Sequence, residues 1–121
     1  MAGTVKDFRD LRVYQSAFES AMEVFTLSRR WPKDERYSLT DQICRASRSV
    51  CSNIAEGWRK RRHQASFISK LSDSDAEAAE TIVWLEFAKR CGYLTEDNAK
   101  RLIARYDQIC AQLVKPVCPL V

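Results

Sequence analysis

The sequence predicts an all-α chain, an antiparallel up-down-up-down four-helix bundle, on three observations. Four apolar patterns of helical period follow one another along its 121 residues. Short punctuation separates them, and no run alternates apolar and polar residues as a half-buried strand would. A single domain over residues 1–121 accommodates the four. Helices are expected at about 8–30, 38–61, 64–91 and 95–114, each roughly 30 to 40 Å long at ~1.5 Å per residue.

In the first helix Leu11, Tyr14, Phe18, Ala21 and Phe25 recur at spacings of three and four. Val13, Ala17, Val24 and Trp31 form a second stripe beside them, so the apolar arc is wider than a lone bundle needs. Pro32 closes the segment, because proline disfavours helix in the residue before it and cannot donate to the ladder. The second helix should open at Ser38, where Ser38-Leu39-Thr40-Asp41 reads as a capping box with Asp in place of Glu. Leu39, Ile43, Ala46, Val50, Asn53 or Ile54, and Gly57 share one face. An adjacent face of Cys44, Ser47, Cys51, Ala55 and Trp58 is mostly small, which lets a neighbouring backbone come close. Gly57 sits where helices avoid glycine, implying close contact or a helix near its end.

The third helix carries Phe67, Ile68, Leu71, Asp75, Ala78, Ile82, Leu85 and Ala88, with Trp84 and Cys91 to one side and Gly92 as C-cap. Thr95-Glu96-Asp97 announces the fourth, an N-cap followed by acids that suit the positive helix pole. Its core positions are Ala99, Leu102, Ile103, Tyr106, Ile109, Cys110 and Leu113, and Pro116 ends it.

Composition narrows the class. The chain is 45% hydrophobic and 30% charged, with three Gly and three Pro, as in an ordinary helical protein with a core large enough to need no staples. No apolar run approaches the roughly 20 residues that cross a bilayer, and the N-terminal residues lack an apolar signal core; a cytoplasmic protein with no membrane partner is expected. Five cysteines, Cys44, Cys51, Cys91, Cys110 and Cys118, show no Cys-x-x-Cys spacing and read as reduced core thiols. With His63 the single histidine, neither a zinc site nor a Glu-x-x-His carboxylate bundle site can be built. His63 and the serines lack the motifs of nucleophilic catalysis, so no cofactor, no metal and no enzymatic activity are expected.

Polar residues on the apolar stripes call for partners. Asn53 is expected to make a register-fixing hydrogen bond within the bundle or at a subunit interface. Asp75 is expected to pair with Arg45 or Arg48 across the second and third helices, with Glu77 or Glu80 joining.

Net charge is +4, and its distribution matters more than its size. From Arg29 to Arg62 ten Lys or Arg face four acids, whereas Leu71 to Ala88 carries five acids and no cation. Arg59-Lys60-Arg61-Arg62, followed by His63, is the one cluster dense enough to imply a ligand. A cationic run at a helix C-terminus also complements the helix dipole and can simply stay solvated. Alternating topology brings the run to the end of the bundle that holds Lys6, Arg9, Arg12 and Lys115, which favours a phosphate-binding surface. Trp58 beside it could stack on a base, or be buried at a subunit seam.

Leu11, Val13-Tyr14, Pro32, Glu35, Leu39, Gln42-Ile43 and Arg45-Ala46 set one half of a wider pattern. Ser49, Ser52-Asn53-Ile54-Ala55-Glu56-Gly57, Arg61, Phe67, Leu71, Glu80, Leu85, Ala88 and Gly92-Tyr93-Leu94 complete it. Across residues 8 to 113 this resembles the four-helix bundle family of the intervening-sequence proteins encoded within large-subunit ribosomal RNA genes. Ser72-Asp73-Ser74-Asp75 and Ile82 depart from the commoner family pattern and mark a subgroup. The resemblance implies a ring-like homopentamer, in keeping with the over-wide apolar arcs. One related protein, the accessory variability determinant of diversity-generating retroelements, is a basic pentamer that binds nucleic acid and a reverse transcriptase. That role would rest here on Arg59, Lys60, Arg61 and Arg62. The expected function is therefore a non-enzymatic homo-oligomer that binds RNA or DNA with little sequence preference. The alternative is a protein-interaction scaffold, such as an accessory subunit of a nucleic-acid enzyme, with no nucleic-acid contact of its own.

Overall fold

A computed structural model describes residues 4–114, and in them four helices pack side by side with no strand among the described residues. The helices are α1 (Arg12–Ser28), α2 (Leu39–Arg59), α3 (Gln64–Arg90) and α4 (Glu96–Leu113). Each packs on its sequence neighbours and α1 closes against α4, as short links between antiparallel rods require. Lys115, Pro116 and Cys118 lie outside the described residues.

The first helix begins later than its apolar pattern. Phe8–Asp10 forms a separate 3-10 turn, and Leu11 is extended (φ −73°, ψ 128°) before α1 starts. The Asp10 carboxylate causes the break by accepting from the backbone N–H groups of Lys6 (3.0 Å) and Asp7 (3.1 Å), and the Gln15 amide donates to the Arg9 carbonyl at 2.9 Å. Leu11 is thereby turned fully into the core. The two α1 stripes also exchange roles: Val13, Ala17, Ser20 and Val24 form the buried seam, while Phe18 remains 49% exposed and Tyr14 and Phe25 are half-buried. Small side chains take the seam because Leu102, Tyr106 and Ile109 of α4 already fill the centre.

At the start of α2, Ser38 does not cap. The turn Lys33–Glu35 brings the Glu35 carboxylate over the helix instead, where Oε1 accepts from the Leu39 N–H at 3.3 Å and Oε2 from the Tyr93 hydroxyl at 2.9 Å. One carboxylate thus ties the start of α2 to the α3–α4 turn. Gly92 ends α3 as expected, with φ +80° and the Tyr93 N–H bonded to the Ala88 carbonyl at 2.9 Å. Thr95 caps α4 by accepting from the Asn98 N–H at 3.1 Å.

The closest seam lies between α2 and α3, on the face that carries Val50 and Gly57, whereas Cys44, Cys51 and Ala55 of the small face turn toward α1. A Cβ on Gly57 would stand 3.2 Å from Cβ of Lys70. The buried Ser74 hydroxyl donates to the Val50 carbonyl at 2.8 Å, and Lys70 Nζ meets Glu56 at 3.0 Å. Two contacts expected between helices of the bundle do not form. Asn53 is half-buried and donates to Ser49 of its own helix at 2.9 Å, a local bond that satisfies it without a second helix. Asp75 faces α4 rather than α2, while Arg45 pairs with Asp41 one turn back and Arg48 lies over the Phe25 ring. Burial first and the neighbouring Asp75 second push the Cys110 thiol up to about 12. Of the other free thiols, Cys51 is buried, Cys44 half-buried, and Cys91 exposed at the end of α3 rather than in the core.

Candidate nucleic-acid interface

The basic run forms the turn between α2 and α3. Arg59 is the last residue of α2, and Lys60 caps it with N–H bonds to the carbonyls of Glu56 and Gly57 at 3.1 and 3.0 Å. Arg61 and Arg62 make the turn, and His63 (φ −110°, ψ 95°) precedes Gln64, the first residue of α3. A reversal with neither Gly nor Pro is possible because tight backbone bonds hold it: Arg61 N–H to Trp58 O at 3.2 Å and His63 N–H to Lys60 O at 2.9 Å. α2 thus ends at Arg59, two residues before the expected 61, and α3 begins at Gln64.

Arg59, Lys60, Arg61, Arg62 and His63 are all exposed. Trp58 is not a free stacking platform: it is buried in the subunit's own core, and Arg61 covers it, with the guanidinium carbon 4.1 Å from the ring centroid. Among the described residues none of the four cations forms an ion pair, and the neighbouring acid, Glu56, is engaged by Lys70. The first turn of α3 contains no acid and no side-chain cap, so its unpaired N–H groups add positive potential beside the run. Arg12 at the same end of the bundle is exposed and free of ion pairs among the described residues, whereas Arg9 is held by Asp7.

The sequence reading did not place the second notable surface. Phe8, Tyr14, Phe18, Met22, Phe25 and Cys51 line an apolar groove of about 570 Å³ along α1 and α2, with Arg48 at its edge. Its signal was the over-wide arc of α1. Among the described residues no group of three or more His, Cys, Asp or Glu could hold a metal ion, and no helix is long and apolar enough to cross a membrane.

Residues 9–115 match the family model of the 23S rRNA-intervening sequence proteins. The chain belongs to that family. A crystal structure of a protein of unknown function from the S23 ribosomal protein family of Bacteroides thetaiotaomicron is similar, at 27% identity and a TM-score of 0.76 over 84% of this chain and 91% of that one. No curated protein matches the sequence significantly. The intervening-sequence family thus accounts for nearly all the described residues, and the basic turn and all of the apolar groove but Phe8 lie within the matched region.

Proposed function

We propose that this intervening-sequence protein is a non-catalytic, cytoplasmic, ring-like homopentamer that binds RNA or DNA through Arg59, Lys60, Arg61 and Arg62 with little sequence preference. The observation that carries the reading is a turn with four exposed cations that no acid of the described chain neutralises, set beside an uncapped helix N-terminus. Each such cation can displace condensed counterions from a phosphate backbone, a contact that carries no sequence information of its own. One turn offers few contacts. Several copies, assembled through the apolar surface of α1, would repeat the turn and convert weak sites into a salt-dependent affinity.

The apolar groove favours a second reading, a protein-interaction scaffold whose cations stay solvated. Fluorescence anisotropy with mixed-sequence RNA and DNA oligonucleotides separates the two. The wild type should bind at low salt, and the variant with Arg59, Lys60, Arg61 and Arg62 changed to Glu should lose more than about tenfold in affinity. No binding by either protein supports the scaffold, and equal binding by both contradicts the assignment of the contact to these four residues.

A further inference from the structure

Among the described residues two apolar surfaces stay uncovered, and they differ in shape and charge. The groove between α1 and α2 is concave, floored by aromatic rings in mutual contact: Phe8 and Tyr14 have centroids 5.0 Å apart, Tyr14 and Phe18 6.0 Å. Its edge is cationic. The guanidinium carbons of Arg29 and Arg48 lie 5.2 and 5.7 Å from the Phe25 ring centroid, and neither residue forms an ion pair among the described residues.

On the outer face of α3 stands a ridge. Val83 and Phe87, one turn apart, are 43% and 55% exposed, and the exposed carboxylates of Glu80 and Glu86 flank them. From Leu71 to Ala88 α3 bears no cation, and among the described residues none of its acids there forms an ion pair. Burial first, and the charges of Glu80 and Asp73 after it, raise the pKa of Glu77. Lys89 lies beyond the ridge in the last turn of the helix, and Arg90, one turn after Phe87, borders the ridge at that end beside Glu86.

We infer that the α1–α2 groove of one copy receives the Val83–Phe87 ridge of the next, with Arg29 and Arg48 facing Glu80 and Glu86. This rests on the assembly reading above and specifies its contact. Two grooves pressed together would leave both partly empty and the ridge exposed. A groove and a ridge fill each other and oppose their charges. Such a contact is heterologous: every copy uses one surface of each kind, and only closure into a ring leaves neither open.

The pairing predicts an outcome that a self-paired face cannot produce. Met22→Arg blocks the groove and Phe87→Asp blocks the ridge, both at half-exposed positions that the fold does not need for its core. Each variant alone should run in light scattering as a subunit of 14.0 kDa. An equimolar mixture should form two-copy species, because one sound groove and one sound ridge remain. A mixture that stays at the subunit mass contradicts the pairing. So does either variant that keeps the mass of an oligomeric wild type, a result that leaves assembly itself standing. A monomeric wild type overturns both the assembly reading and this contact. Charge reversal gives an independent check that spares the apolar residues: Arg48→Glu and Glu86→Arg should each raise the concentration for half-assembly by roughly tenfold, and the double variant should restore it.

Discussion

Arg61 holds its guanidinium carbon 4.1 Å from the ring centroid of the buried Trp58 and also donates to its carbonyl, through Nη1 at 2.9 Å. One cation of the basic turn is therefore fixed by the core, while Arg59, Lys60 and Arg62 extend freely from it. The roles of these residues should separate accordingly. Arg61→Ala should cost about 0.5–1 kcal/mol of stability and weaken oligonucleotide binding, whereas Arg62→Ala should weaken binding alone. Thermal unfolding beside anisotropy measures both; equal stability of the two variants would remove Arg61 from its structural role.

The α2–α3 seam should be the least tolerant of added volume. Gly57→Leu must displace the Lys70 backbone of a packed helix, and a loss of about 1–3 kcal/mol is expected. Ser74→Ala leaves the Val50 carbonyl without its cross-helix partner and should cost about 1 kcal/mol. Urea unfolding reads both, and a neutral Gly57→Leu would show that the helices are not this close.

Acid should loosen the contact between α1 and α4. Arg101 hydrogen-bonds to Glu23 and Arg105 approaches it at 3.1 Å, and together they hold the Glu23 carboxyl below its ordinary 4.5. A depressed folded-state pKa contributes stability that is present above the unfolded value and lost as pH falls through the folded one. Partial exposure limits the contribution to about 0.5–1 kcal/mol. Glu23→Gln should therefore be less stable than wild type at pH 7 and no different near pH 2. A difference that persists in acid would assign the effect to packing instead.

Thiol reactivity should follow burial. Burial pushes the Cys51 thiol up to about 11 and Cys110 up to about 12, while Cys91 is exposed. Iodoacetamide at pH 8 should label Cys91 well before Cys110 and Cys51. Peptide mass spectrometry resolves the order, and rapid labelling of Cys51 would contradict the packing of α2.

Much of this was legible in the residues because the signals were local. Gly92, Thr95 and Gly57 act within a turn or two of themselves, and the geometry around them follows. Ser38 misled because its competitor, Glu35, reaches the helix only after a 3-10 turn that sequence spacing does not reveal. Asp75 misled because an apolar stripe gives the face of a residue but not which neighbouring helix it meets; α4 took the contact assigned to α2. In α1 both stripes were visible, and choosing between them required the volume of Tyr106 from another helix. The basic turn was readable by density alone. The groove beside it needed the bundle to be assembled before its aromatic residues could be seen to lie outside.

The most direct test of the central claim, that unpaired basic turns repeated around an assembly bind polyanions, is the salt dependence of oligonucleotide affinity. For the wild type, log K against log salt should fall with a slope of about −4 or steeper, at similar affinity for unrelated sequences, as expected when several phosphates are contacted at ~0.9 counterions each. A slope shallower than about −1, or an absence of binding even at low salt, would contradict it.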